Sequence, residues 1–479
     1  MLTIQLKSKS EENLYLQIYG FIKNEILEGR ISKDEKLPSK RNLAKNLGVS
    51  VLTVETAYSQ LLAEGFIYSV PQKGFFAEKI EFQQTERSKS ENKASSKSDS
   101  KKIPLPEQNE NPEKAGSQAV QTVVNLSGNQ TDPRNFPFSI WAKIIRSILH
   151  SRQNEVLKNS PAQGTIELRA AIAEHLRDFR GMEVDPARIV IGAGTEYLYG
   201  LLIQLLGFDK TYAIEDPCHN KIEKIYDSFG VRNVQIPMDS NGILVEELKK
   251  QNADIVHISP SHHFPTGIVM PVSRRYELLN WAQESPSRFL IEDDYDSEFR
   301  FTGRPIPTMQ SIDSSGKIIY MNTFTKTLSS TIRISYMILP SLLAERFSEK
   351  LNFYACTVPT IDQLTLAQFI SQGYFEKHIN RMRKLYGQKR EMFVNCIKKY
   401  DTSQHFEILE GNSGLHFLLK VQDLALESFK NRLNKEGIVI ATLSNFYKDF
   451  NSEAEKMFVV NYSGIPLENI EQTVKKLTF

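Results

Sequence analysis

Between Glu81 and Ala119 the chain is dominated by Ser, Lys, Glu, Asn, Gln and Pro, and its large apolar residues there are only Phe82, Ile103 and Leu105. A stretch so poor in apolar side chains cannot bury enough surface to offset the entropy of ordering it. The chain therefore cannot be one continuous fold. Residues 1–80 and 123–479 are expected to fold separately, joined by a flexible linker over 81–122. A linker of about 40 residues reaches roughly 130 Å when fully extended.

The balance of 59 basic and 57 acidic residues, a formal charge of +2, excludes a uniformly basic nucleic-acid coat. Any nucleic-acid contact must then be local. The first residues, Met1-Leu-Thr-Ile-Gln-Leu-Lys7, lack the apolar core of a signal peptide, and no stretch reaches the roughly 18 apolar residues of a membrane span. A cytoplasmic location without membrane contact is expected. Cys218, Cys356 and Cys396 match no ligand spacing, so neither a disulfide framework nor a metal site is expected.

In the N-terminal unit Leu14, Ile18, Phe21, Ile22 and Ile26 recur at helical spacing, and Gly29 ends that helix. A second helix follows Pro38, with Ser39 as its N-cap and Leu43 facing inward; Leu47-Gly48-Val49 makes a turn. Ser50 caps a third helix, with Val54, Ala57, Leu61 and Leu62 inside and Val51, Leu52, Thr53, Glu55, Thr56 and Ser59 outside. Phe66–Val70 and Phe75–Ala77, around Pro71-Gln-Lys73-Gly74, read as a two-stranded wing. Lys36, Lys40, Arg41 and Lys45 form a basic run without an acid inside it, suited to a phosphate backbone. The fold expected here is an α+β winged helix-turn-helix. Its candidate DNA-binding residues are Ser39, Lys40, Arg41, Ser50, Thr53, Lys73 and Gly74.

The C-terminal unit alternates apolar strands with helices, and its chemistry falls where strands end. Ile189-Val-Ile-Gly-Ala-Gly194-Thr195-Glu196 runs from a strand through a glycine turn into a helix, whose free N–H groups can hold a phosphate. Arg288–Ile291 leads into Glu292-Asp293-Asp294-Tyr295-Asp296, and Lys317–Met321 into Thr323 and Lys326 with Arg333 seven residues on. Pyridoxal 5′-phosphate (PLP) requires an amine for its aldehyde, a carboxylate for its ring nitrogen, a donor for its ring oxygen and an anion cradle. This order of residues offers each of them.

The N-terminal segment, from about Leu14 to Ala77, resembles the GntR family of bacterial regulators through Leu37-Pro-Ser-Lys-Arg41, Gly48-Val-Ser50, Tyr58 and Leu61-Leu-Ala-Glu-Gly65. One departure is Val51-Leu52 where relatives often carry an Arg, so guanine readout there gives way to apolar contact with thymine methyls. The segment from about Val124 to Phe479 resembles the fold type I aminotransferases, an α/β fold, through the motifs above and Pro265-Thr-Gly267. That resemblance implies a Schiff base between PLP and Lys326, Asp293 at the ring nitrogen and Tyr295 at the ring oxygen. It implies phosphate contacts from Arg333, Thr323, Gly194, Thr195 and Glu196. His219 matches the aromatic residue that stacks on the ring, or else caps the following helix.

The union of both halves is similar to the MocR/GabR-type subfamily of GntR regulators. Asp293–Phe299, Ser273-Arg-Arg275 and Arg333-Ile-Ser-Tyr-Met337 carry that closer match. Such regulators use the aminotransferase fold as a sensor, bind a double-stranded DNA operator and form head-to-tail homodimers. Phe264 stands where aminotransferases place an Asn, and Gly464 is read as standing where a late strand supplies the substrate-gripping Arg; Lys221 is the counterpart of a second effector-binding Arg. These departures imply no catalytic residues and no efficient transamination, and PLP itself as the effector. A regulator responding to an amino acid such as GABA, and an active aminotransferase with an accessory DNA-binding domain, are the alternatives.

Overall fold

The computed structural model describes residues 13–78, 80, 124–128, 132–301, 306–409, 414–422 and 426–478. The linker expected over 81–122 lies outside them. The N-terminal unit has three helices, α1 (Leu14–Leu27), α2 (Lys40–Leu47) and α3 (Val51–Glu64), then the antiparallel pair β1 (Ile67–Val70) and β2 (Gly74–Ala77). The helix boundaries follow from capping. The hydroxyl oxygen of Ser39 accepts the Asn42 N–H at 3.3 Å and that of Ser50 accepts the Thr53 N–H at 3.1 Å. Gly48 and Gly65 end α2 and α3 in the left-handed region, at φ 66° and 76°.

Ile18, Ile22, Ile26, Leu43, Val54, Ala57 and Leu61 form the core as expected. Three positions differ. Leu14 is exposed, and Phe21 and Leu62 are only half-buried, while α3 also buries Tyr58, Gln60 and Glu64. The Glu64 carboxylate is made tolerable inside by the Tyr19 hydroxyl at 2.6 Å and the Gln60 amide at 2.5 Å.

In the larger unit β3 (Val124–Asn125) pairs in parallel with β14 (Ile438–Val439), and α4 (Phe138–Ser151), α5 (Gln153–Val156) and α6 (Ile166–Arg180) precede the main sheet. That sheet contains β4 (Ile189–Gly192), β5 (Thr211–Asp216), β6 (Arg232–Asp239), β7 (Gly242–Ile243), β8 (Ile255–Ile258), β9 (Phe289–Asp293), β10 (Ile318–Thr323) and β11 (Ser335–Ile338). Their order is β4-β11-β10-β9-β8-β5-β6-β7, with β7 and β11 antiparallel to their neighbours. The central strands are buried on both faces, as parallel sheets covered by helices require. After β4 the chain crosses to β5 on the far side of β8, β9 and β10, so the strand order reverses and opens a crevice at the C-terminal strand ends. Helices α7 (Thr195–Leu206) and α8 (Asn220–Ser228) start at that edge.

A smaller antiparallel sheet orders β12 (Phe406–Leu409), β13 (His416–Val421), β16 (Met457–Asn461) and β15 (Ala441–Thr442). No helix among the described residues is long and apolar enough to cross a membrane.

Candidate functional site

A cavity of about 210 Å³ opens at the C-terminal edge of the main sheet. Thr195, Glu196, His219, Lys221, Phe264, Asp293, Tyr295, Thr323, Lys326 and Arg333 all line it. Gly194 reaches it through Arg333, because a Cβ at Gly194 would collide with the Arg333 guanidinium. Gly464 does not line it. It lies three residues past the end of β16 at Asn461. The β16 residues in the cluster of cavity-lining Phe264 are Val459 and Met457.

Each side chain is held by a strand end or a helix start. Asp293 is the last residue of β9; its Oδ2 accepts the Tyr199 hydroxyl at 2.8 Å and lies 3.6 Å from His257 Nε2. Its Oδ1 is buried with no hydrogen-bond partner among the described residues. A buried, unpaired carboxylate oxygen facing a cavity calls for a protonated donor. Lys326 follows β10, and burial pulls its ammonium down to about 8, opposed by the charges of Asp296 and Asp293. An amine so shifted is available as a nucleophile near neutral pH.

The anion cradle sits where β4 turns into α7. Gly194 precedes the helix at φ 91°, and the neighbouring Ala193 N–H is held by the Thr357 hydroxyl at 2.9 Å. Arg333 holds a left-handed φ of 51°, a strain of about 1–3 kcal/mol for a non-glycine residue, which is found where a side chain must be aimed. Glu196 pairs with Lys221 and lies 3.4 Å from Arg333; the Lys221 hydrogen bond comes first among the causes that hold its carboxyl below the usual range. His219 caps α8, its Nδ1 accepting the Lys221 N–H at 3.2 Å, and its ring, on the cavity wall, meets Phe264 at 5.5 Å between centroids.

Residues the sequence did not single out complete the wall. Tyr199 orients Asp293 through its hydrogen bond, and His257 packs beside it. Glu215, at the end of β5, is pushed up to about 8 by burial; its Oε2 accepts the Ser259 N–H at 3.0 Å and lies 3.4 Å from His263 Nε2. The residues present fit PLP: an amine, an unsatisfied acid, a phenol and a glycine-cleared cradle surround one volume.

In the N-terminal unit Arg41, Lys45, Lys36 and Lys73 are exposed, as are Val51 (45%) and Leu52 (70%) at the start of α3. Ser39 and Ser50 serve as helix caps, Thr53 is half-buried beside Ser50, and Gly74 opens β2 at φ 114°. The basic run is less free than its sequence implies. Lys40 pairs with Glu55 of α3 at 2.6 Å and lies over the Phe75 ring.

Comparison with known proteins gives this arrangement its class. Residues 121–477 match the family model for aminotransferase class I and II, and residues 14–77 that for bacterial regulatory proteins of the gntR family. The chain is similar in fold to an archaeal alanine:glyoxylate aminotransferase, with a TM-score of 0.65 at 24% identity over 74% of this chain and 90% of that one. It is a GntR winged helix-turn-helix joined to a fold type I aminotransferase-like domain.

Relatives that carry both halves narrow the class. The uncharacterized HTH-type transcriptional regulator YdeL of Bacillus subtilis (strain 168) is 37% identical over 97% of this chain and 96% of its own. The probable rhizopine catabolism regulatory protein MocR of Rhizobium meliloti is 28% identical, covering 97% and 93%. The pyridoxine biosynthesis transcriptional regulator PdxR of Corynebacterium glutamicum is 27% identical, covering 93% and 91%. The chain belongs to the MocR-type HTH transcriptional regulators of the GntR family.

Proposed function

We propose that this chain is a regulator that binds PLP covalently through Lys326 and changes its affinity for an operator when it does so. The observation that carries the cofactor reading is the pairing, across one cavity, of a half-buried amine at Lys326 with the unsatisfied Asp293 Oδ1. When bound, PLP supplies an electrophilic aldehyde. The chain supplies the rest: Asp293 holds a proton on the ring nitrogen, Tyr295 donates to the ring oxygen, and Gly194, Thr195, Thr323 and Arg333 hold the phosphate. Phe264 neither donates nor accepts, and among the described residues no late-strand Arg lines the cavity, which supports a sensor rather than a transaminase.

PLP itself is the effector in this reading. The cavity's cations among the described residues are Lys221, Lys326 and Arg333. Lys221 pairs with Glu196, and Arg333 lies beside the same carboxylate. A carboxylate effector would have to draw a cation away from Glu196, at a desolvation cost. The PdxR relative, named for pyridoxine biosynthesis, supports the same choice. An amino-acid effector is the second reading, favoured by the position of Lys221 on the cavity wall. The DNA half acts through Arg41, Lys45, Lys73 and the start of α3. Dimerisation of the larger domain in the cytoplasm sets the spacing of half-sites.

The test titrates apo-protein on its promoter fragment with PLP, then PLP-loaded protein with GABA and other amino acids. PLP is expected to shift DNA affinity, and Lys326→Ala to abolish both the shift and the visible absorbance. A response to amino acids alone, with apo and PLP forms binding DNA alike, refutes PLP as effector.

A further inference from the structure

The motif Asp293-Asp-Tyr-Asp-Ser-Glu-Phe299 holds more carboxylates than the cavity uses. Asp293 lines it. Asp294 points away, pairing with Arg180 and accepting the Tyr320 hydroxyl at 2.7 Å. Asp296, 2% exposed, turns to a third place: its Oδ2 lies 2.9 Å from Nδ1 of His262, itself 4% exposed just past the end of β8. The same Nδ1 lies 3.2 Å from the Tyr295 hydroxyl oxygen. The His262 ring packs on His416 at 4.7 Å, and its Nε2 has no hydrogen-bond partner among the described residues.

This geometry sets where the imidazole hydrogen sits. A carboxylate only accepts, so at 2.9 Å the hydrogen on the imidazole must sit on Nδ1, directed at Asp296. The opposite tautomer would set a nitrogen lone pair against a buried carboxylate, a costly arrangement. A nitrogen that carries a hydrogen cannot accept the one on Tyr295. The Tyr295 hydroxyl oxygen can share the Nδ1 hydrogen, and its own hydrogen is left to point into the cavity it lines.

We propose that His262 and Asp296 form a positioning dyad that holds the Tyr295 hydroxyl hydrogen toward the cavity, where it donates to the ring oxygen of bound PLP. The inference rests on the cofactor reading above. Neither member of the dyad lines the cavity; both act through Tyr295. Without His262, nothing holds the Tyr295 hydrogen toward the cavity, and its donation to the ring oxygen weakens. Donation to that oxygen stabilises its negative charge most when the adjoining nitrogen, linked to Lys326, has no proton. Losing the donor therefore makes that nitrogen hold its proton more tightly.

The readout is the absorbance of full-length, PLP-loaded protein at one fixed pH, as the ratio of the protonated to the unprotonated form of the lysine-linked cofactor. Tyr295→Phe and His262→Leu are each expected to raise this ratio roughly tenfold, the size of one hydrogen bond to a charged group. The double variant should go no further than either single variant, because both remove the same interaction. His262→Gln, whose amide can still donate to Asp296 and Tyr295, should move the ratio back toward wild type. If His262→Leu does not fold, His262→Phe, which keeps a ring against His416, decides by the same measure. An unchanged ratio without His262, or single effects that add in the double variant, overturns the dyad while the cofactor reading stands. A wild type with no Lys326-dependent band overturns both.

Discussion

The depressed basicity of Lys326 makes a quantitative demand on how fast PLP is captured. Only the unprotonated amine attacks an aldehyde. An ordinary lysine, at 10.5, is unprotonated in about one molecule in 3,000 at pH 7. Burial takes Lys326 to about 8 against the opposing pull of Asp296 and Asp293, which makes the fraction about one in ten. Capture should therefore run roughly 300-fold faster at pH 7 than for an unshifted lysine of equal intrinsic reactivity. The sign follows from the direction of the shift: the rate climbs about tenfold per pH unit below the amine's pKa and levels off above it. Stopped-flow absorbance of apo-protein mixed with excess PLP, from about pH 6 to about pH 10, reads this directly against a free lysine derivative. Asp296 comes first among the charges that raise the pKa, so Asp296→Asn should move the levelling to lower pH. A rate that keeps climbing beyond about pH 9 in parallel with the free amine would refute the burial argument.

Three further outcomes are expected. Gly194→Ala sets a Cβ against the Arg333 guanidinium at a left-handed φ of 91°, and should weaken PLP binding by about tenfold or more, measured by equilibrium dialysis. Lys326→Met should stabilise the apo-protein at pH 7 by on the order of 3 kcal/mol in urea titration. The folded chain binds that proton less tightly than the unfolded chain does, so stability is lost as pH falls from about 10.5 to about 8, and the variant has no such loss. Arg41→Ala should reduce the salt dependence of operator binding by about one unit of slope, whereas Leu52→Ala should leave the slope alone and relax the preference for thymine at one position. Fluorescence anisotropy on substituted operators distinguishes the two.

Much of the site was legible because the chemistry is written into contiguous strand ends. A buried strand that stops in Asp293 and another followed closely by Lys326 bring their last residues to one edge in any parallel sheet, whatever the details of packing. Helix caps are local too, and Ser39, Gly48, Ser50 and Gly65 mark their boundaries without help from the rest of the chain. Tyr199 was not legible. Helix α7 is apolar nearly all round, so its periodicity does not say which side faces the cavity. The tyrosine's partner is 94 residues away in sequence. The Lys40–Glu55 pair is hidden for a related reason, since it exists only where α2 crosses α3.

Gly464 was legible only as a position in a family motif, not as a place in the fold. Side chains alternate across a strand, so one step of error exchanges the two faces. In β16, Val460 packs with Phe417 and Tyr462 in one cluster, while Val459 packs with Leu418 and Leu443 in the cluster that reaches Phe264. Val459 and Met457 lie in the cluster against which Phe264 packs, and Gly464 lies three residues beyond the end of the strand at Asn461. Strand β16, Met457–Asn461, carries no cation. Behind Phe264 the buried Val459 and its apolar neighbours cannot solvate a carboxylate. An acidic effector in the cavity would meet Phe264, and would gain Lys221 only at the cost of the Glu196 pair.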